Sequence, residues 1–304
     1  MMVLSRIEYE LLSLLERNKS YSYTIRELSD HLCVSMTIVI EALKKLQSEG
    51  KLVKSQNHFE LTDDGLTALE PYRVKRAVIL AAGFGSRMLP ATADRPKPLV
   101  TVNGVRIIDT LLDALVSVGI EDITIIRGYR KEAFDGLLDK YPFVKLVDND
   151  QYDTTNNISS IMEVLDLFDG GCYLCEADLL VSNPDIITKY QYTSNILGSW
   201  SLQTDDWSFR MKDGYITDYQ KGNTYCWNYY GISYWTPEDC VKLQRDFKDV
   251  WEGQDGKDYF WEFIPLVLKK ENYHVEIRQC RKQDIMEIDN YYELAEIDPS
   301  YRME

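Results

Sequence analysis

Between positions 80 and 99 the chain reads LAAGFGSRMLPATADRPKPL, and this stretch holds the residue types best suited to chemistry. Gly83 and Gly85 directly follow the apolar run AVILAA, where the lack of a Cβ lets backbone N–H groups come close to phosphate oxygens. Arg87 and Lys97 then set two cations on a loop that Pro90, Pro96 and Pro98 stiffen. Fixed cations beside a glycine turn suit a polyphosphate, because phosphoryl transfer gains most from charge matched to the transition state. A dinucleotide-binding turn would instead carry a third glycine and an acidic residue about 20 positions later, and that pattern is absent.

A second apolar run, GCYLCEADLLV, ends in Glu176 and Asp178. Ligands gather at the carboxyl ends of strands in open α/β sheets. Asp178 is therefore a natural ligand for Mg²⁺, which takes one or two carboxylates and keeps several waters beside phosphate oxygens. Cys172 and Cys175 form a CxxC in the same run, but no second CxxC completes a zinc site, and the pair reads as buried strand. His31, His58 and His274 stand apart from these motifs. No general base is required of them, because a phosphate monoester with a second pKa of about 6 is already ionised at neutral pH.

All six tryptophans, at 200, 207, 227, 235, 251 and 261, fall in one part of the second half. The segments DDWSF, WNYYGISYW and GKDYFWEF place aromatic rings beside Asp205, Asp206, Asp258 and Glu262. Aromatic faces attract a quaternary ammonium by about 0.5–2 kcal/mol each, and a carboxylate adds charge attraction. Core packing is the competing use of these rings.

The elements that position these residues follow from periodicity. The length of 304 residues suits a catalytic domain plus a small module. Helical periodicity at 7–15, 25–32 and 37–46, with a tight turn near 33–35 and a wing over 51–69, predicts a winged helix-turn-helix domain across 1–72. Its third helix carries Lys44 and Lys45 but also Glu41 and Glu49, a poor charge pattern for DNA phosphates. A regulatory or dimerising role is the preferred expectation, with a homodimer as one outcome. From Lys75 strands alternate with helices: strands at 77–82, 123–129, 144–147 and 172–175, helices at 107–118, 131–138 and 157–167. This predicts a doubly wound, Rossmann-like domain over 75–304 with a mixed, mainly parallel sheet. Beyond 195 short aromatic-rich strands and hairpins are expected. The formal charge of −15 and pI near 4.7 disfavour nonspecific binding to DNA or anionic lipid. Glu8 and Glu10 interrupt any signal-peptide run, and no apolar run is long enough for a membrane span, so a cytoplasmic location is expected. Six scattered cysteines then read as free thiols.

The stretch 80–99 resembles the loop of the nucleotidylyltransferase superfamily, LAAGxGxRxxPxTxxxPKPL, at every fixed position, Thr92 included. The resemblance implies that Arg87 binds the departing β and γ phosphates and that Lys97 neutralises the α phosphate. It places the nucleotide against Leu80, Ala81, Ala82, Gly83, Gly85, Ser86 and Glu176, and pairs Asp178 with Asp289 of IMEIDNYYEL as metal ligands. Within that segment Glu287 is expected to point the other way. From Lys75 onward the chain is similar to bacterial CTP:phosphocholine cytidylyltransferases, through GYRKEAFD, NNISSIMEV, EAD, DDW, KDYFWE and MEID. That resemblance implies transfer of CMP from CTP to phosphocholine. It sets Asn156 and Ser159 near the cytosine, with Ser159 the foremost side chain. Trp207, Asp258, Tyr259 and Trp261 would then hold the choline head.

Two other readings stay open. A primary ammonium, as in 2-aminoethylphosphonate or phosphoethanolamine, donates hydrogen bonds and would use the carboxylates rather than an aromatic box. A transcriptional regulator that senses a nucleotide is the alternative of another class, against which the complete set Arg87, Lys97, Asp178 and Asp289 argues.

Overall fold

A computed structural model describes residues 3–55 and 58–302. The chain divides into two compact units, one running to Arg73 with Tyr190–Tyr192, the other comprising Val74–Lys189 and Thr193–Glu304. In the first unit, helices α1 (Arg6–Arg17), α2 (Ile25–Leu32) and α3 (Met36–Ser48) precede an antiparallel hairpin, β1 (Leu52–Ser55) and β2 (His58–Leu61). Thr24 and Ser35 accept from Glu27 N–H and Ile38 N–H and so fix the starts of α2 and α3. Cys33 makes the turn between them at φ 51°. Leu11, Leu12, Leu28, Leu43 and Leu46 form the core of this unit. The stretch expected to be all wing ends as a helix, α4 (Asp63–Leu69), because Thr62 caps it by accepting from Gly65 N–H. Gln56 and Asn57 of the expected wing lie outside the described residues.

The second unit begins with β3 (Arg76–Ala81), followed by the short hairpin β4 (Thr101–Val102) and β5 (Val105–Arg106), helix α5 (Ile107–Ser117), β6 (Asp122–Arg127) and β7 (Lys145–Asp148). Then come α6 (Ile158–Met162), β8 (Cys172–Glu176), β9 (Leu179–Val181), β10 (Asn195–Lys212), β11 (Tyr215–Trp235), α7 (Pro237–Trp251), β12 (Glu276–Gln279), β13 (Ile285–Glu287) and α8 (Tyr291–Ile297). The seven-stranded sheet has the order β12-β10-β11-β8-β3-β6-β7. β8, β3, β6 and β7 are mutually parallel, while β11 runs antiparallel to β8 and β10. The mixed, mostly parallel α/β sheet expected from the sequence is therefore present.

β3 is buried on both faces. Ala77 and Ile79 join Leu111, Leu115 and Ile125 on one side, while Val78 and Leu80 join Ile158, Phe168 and Trp261 on the other. The same alternation sends Cys172 and Cys175 to opposite cores, so the CxxC cannot act as a pair. Both thiols are free.

Three local expectations need correction. The helix expected at 157–167 breaks after Met162 and resumes as a single 3₁₀ turn, Leu165–Leu167, which lets Val164 and Phe168 reach the same core. The segment 131–138 is a 3₁₀ helix, Lys131–Leu137, entered through Arg130 at φ 46°. After 195 the chain forms one long hairpin, not several short ones. Its strands span 18 and 21 residues and turn at Asp213 and Gly214, with φ of 53° and 88°. An Asp-Gly pair supplies the two positive φ values that a tight hairpin turn needs.

β3 lies at the reversal of strand order, since the chain builds β6 and β7 to one side of it and β8 to the other. The loops leaving β3 and β8 thus open on one crevice, the place where such sheets bind ligands. The antiparallel pair β9 and β13 sets Leu179 opposite Glu287 and brings the 285–289 segment beside Asp178.

Candidate functional site

A cavity of about 740 Å³ opens at this crevice, well within the range of small-molecule sites. The loop after β3 supplies one wall, with Leu80, Ala81, Ala82, Gly83, Gly85, Ser86, Arg87 and Lys97 all lining it. Gly85 sits at φ 60°, and a Cβ there would fall 2.8 Å from Lys97 Cβ, so no larger residue fits. Thr92 ties the loop by donating to the Gly85 carbonyl at 2.9 Å.

Lys97 is largely buried, and its Nζ donates to Asp178 Oδ2 at 2.7 Å. Burial alone would lower the pKa of this ammonium, but Asp178 and Glu287 together hold it above the ordinary lysine value. Arg87 is mostly exposed and pairs with Asp289, Nη2 to Oδ1 at 2.6 Å. The two loop cations thus face the two carboxylates singled out as metal ligands.

Among the described residues Asp178 Oδ1 is buried without a hydrogen-bond partner, and Asp289 Oδ1 is buried with an ion contact but no aligned hydrogen bond. These oxygens suit a hard divalent cation that completes its shell from water and phosphate. Among the described residues no group of three or more His, Cys, Asp or Glu side chains is arranged to hold a metal by itself. Glu287 was expected to point away. It lines the cavity instead, because residues two apart on a strand share a face, and Glu287 and Asp289 obey that period. Burial and the nearby Asp178 push its carboxyl up to about 8. Asp289 is not a helix cap, since Asn290 caps α8.

Asn156, Ser159 and Glu176 also line the cavity. At its far side Trp207 stacks on Tyr219 with ring centres 4.8 Å apart and lies 6.3 Å from Phe260. Glu262 is buried here and Glu176 partly so, and Tyr229 Oη is within hydrogen-bond reach of both, 3.2 Å from Glu176 Oε1 and 3.0 Å from Glu262 Oε1. Burial raises the pKa of both carboxyls. Glu262 Oε2 is buried with no hydrogen-bond partner among the described residues.

Three residues expected at the acceptor do not line this cavity. Trp261 is fully buried in the core, 6.2 Å from the Trp235 ring. Asp258 borders a separate shallow depression with Trp251 and Lys257, and Tyr259 packs near Phe263 at 6.4 Å. Their backbone serves a different end. The Asp258 carbonyl accepts from Asn156 Nδ2 at 3.1 Å, and Trp261 N–H donates to Asn157 Oδ1 at 2.8 Å, which ties this segment to residues 156–157. In KDYFWEF the cavity receives Phe260 and Glu262 while Trp261 between them fills the core. Here the chain turns, with Phe263 N–H donating to the Phe260 carbonyl at 3.1 Å and Ile264 N–H to the Trp261 carbonyl at 3.1 Å, and no local pattern in the sequence announces which ring goes inward.

Residues 76–197 match the Nucleotidyl transferase family. A 2-aminoethylphosphonate cytidylyltransferase of Lancefieldella rimae is 37% identical over 233 residues, covering 74% of this chain and 92% of that protein. A choline-phosphate cytidylyltransferase of Streptococcus pneumoniae is 32% identical over 233 residues, covering 73% and 97%. The solved CTP:phosphocholine cytidylyltransferase of S. pneumoniae superposes with a TM-score of 0.68 at 28% identity, over 76% of this chain and all (100%) of that one.

The two tryptophans make opposite predictions. Trp261→Ala removes a fully buried ring and is expected to cost about 3–5 kcal/mol of unfolding free energy. Trp207→Ala, at the cavity wall, should cost far less stability and mainly weaken acceptor KM. Chemical denaturation and steady-state kinetics on both variants check this, and equal stability losses would contradict the placement.

Proposed function

We propose, from the premise that the chain belongs to the nucleotidyl transferase family and is a cytidylyltransferase, that its acceptor is a small phosphonate or phosphate carrying a primary ammonium, with 2-aminoethylphosphonate first. The observation that carries this reading is the Glu176, Tyr229 and Glu262 cluster in the cavity, which we assign to the acceptor, Glu176 included, although the resemblance sets that residue against the nucleotide. A primary ammonium can donate three hydrogen bonds to such oxygens, whereas a trimethylammonium donates none. The aromatic box that favoured phosphocholine loses Tyr259 and Trp261. Phosphocholine is the second reading, supported by Trp207, Tyr219 and Phe260 on the same wall.

In this reading an acceptor oxygen attacks the α phosphorus of CTP in line. A new P–O bond forms there, the bond to the β-phosphate oxygen breaks, and pyrophosphate leaves with its electron pair. Arg87 leaves Asp289 for the β and γ phosphates, and Lys97 turns from Asp178 to the α phosphate. The backbone at Leu80, Ala81, Ala82, Gly83 and Gly85, with Ser86, cradles the nucleotide, and Asn156 and Ser159 approach the base. Asp178 and Asp289 would hold Mg²⁺, which neutralises phosphate charge when bound. The freed cations and the carboxylates thus exchange partners rather than being left unpaired.

We assign residues 1–72 to a winged helix-turn-helix module and 75–304 to the cytidylyltransferase domain. The module is read as one that does not bind DNA: Lys45 is engaged by Glu8 at 2.5 Å and Lys51 by Glu49 at 2.5 Å, and Glu41 and Glu49 stand on or beside the same helix as Lys44. No helix among the described residues is long and apolar enough to cross a membrane.

Three measurements test these readings. With CTP and equal concentrations of the three amines, kcat/KM for 2-aminoethylphosphonate should exceed that for phosphocholine by about tenfold or more. The reverse order would install the second reading, and no pyrophosphate release with any of them would remove both. Lys97→Met and Asp178→Asn should each lower kcat by about 100-fold or more with smaller changes in KM, and unchanged kcat would refute their roles. Duplex DNA of mixed sequence should stay unshifted by the full chain at about 0.15 M salt, and a retarded complex would overturn the assignment of the module.

A further inference from the structure

We infer that Asn149 sets the choice of cytosine over uracil, by fixing the Ser160 hydroxyl as a hydrogen-bond donor toward the base. Asn149 sits just beyond β7, at the carboxyl end of a parallel strand, and is 1% exposed. Its Nδ2 donates to Ser159 Oγ at 2.8 Å and to Ser160 Oγ at 3.0 Å, which uses both amide hydrogens. Its Oδ1 accepts from Gln151 N–H at 2.9 Å, so the backbone dictates which way the amide faces. Asn149, Ser159 and Ser160 all line the cavity.

The two serines differ in what remains to them. Ser159 Oγ accepts from Asn149 and donates to the Asn156 carbonyl at 2.9 Å, so its only hydrogen is committed. Ser160 Oγ accepts from Asn149, and its own hydrogen has no acceptor among the described residues. The amide takes one lone pair of this oxygen, which leaves its hydrogen and its other lone pair to groups that enter the cavity. Ser160, rather than the expected Ser159, is therefore the free donor. N3 of cytosine accepts a hydrogen bond, whereas N3 of uracil carries a hydrogen, and to accept it the Ser160 hydroxyl must rotate its own hydrogen away from the base, where no described residue accepts it. A buried donor left without its acceptor penalises the wrong base. Asn149 acts through Ser160 and is a positioning residue.

The inference rests on the reading that the 156–160 segment meets the base. Isothermal titration of the full chain with CTP and with UTP, each with Mg²⁺, tests it without turnover. Wild type should bind CTP more tightly. Asn149→Asp keeps the shape but accepts from Ser160, turning its lone pairs to the base, and should shrink the CTP to UTP affinity ratio by about tenfold or more. Ser160→Ala should weaken CTP and leave UTP little changed, again shrinking the ratio. A merely structural role would weaken both nucleotides in proportion and leave the ratio where it was. If wild type prefers CTP and both variants keep the wild-type ratio, the inference is wrong. If wild type shows no preference for CTP, the base-site reading itself fails and takes the inference with it. Thermal melting of each variant identifies one that does not fold, in which case the other decides.

Discussion

A lysine ammonium held almost out of water by one carboxylate is the interaction on which the site depends. Lys97 and Asp178 come from the loops after β3 and β8, adjacent strands at the reversal of sheet order, and meet at 2.7 Å on the cavity wall. Removing one partner of a buried pair costs about 3–5 kcal/mol, because the other charge is left unpaired. The pair therefore persists until something equally charged replaces each member. In the proposed reaction a triphosphate with a divalent cation would supply both replacements. Arg87 and Asp289 repeat the arrangement nearer the surface, where screening makes the contact weak and readily exchanged.

From this follows the division of labour around the cavity. Glycines at 83 and 85 leave the loop backbone open to the cavity, while Thr92 ties the loop to the Gly85 carbonyl and Gly85 packs against Lys97. The β9 and β13 ladder carries Asp289 to Asp178 from more than a hundred positions away. On the opposite wall the long β10 and β11 hairpin lends Trp207, Tyr219 and Tyr229, and the 257–261 backbone links that wall to Asn156 and Asn157.

Legibility in the sequence tracked the range of the determining contacts. The phosphate loop was readable because its glycines, prolines and cations act on one another within about twenty positions. The place of Asp178 on the cavity was readable because it follows the carboxyl end of a parallel strand, where such sheets open their crevices. The cavity wall at 257–262 was not, since a shift of one position exchanges Tyr259 and Trp261 for Phe260 and Glu262, and only packing against the core decides which set turns inward. Glu287 was misplaced for a simpler reason: the period of two that puts Asp289 in the cavity puts Glu287 there as well. The long hairpin could have been found from Asp213 and Gly214, whereas the break after Met162 reflects two core contacts, Val164 and Phe168, that no local pattern announces.

The most direct measurement of the central claim is a structure of the protein with Mg²⁺ and a CTP analogue bearing a non-cleavable bridge at the α–β linkage. The expected result is Lys97 Nζ on an α-phosphate oxygen, Arg87 on the β and γ phosphates, and both Asp178 and Asp289 released to the metal. A triphosphate bound elsewhere, or bound with Lys97 still on Asp178 and Arg87 still on Asp289, would contradict it.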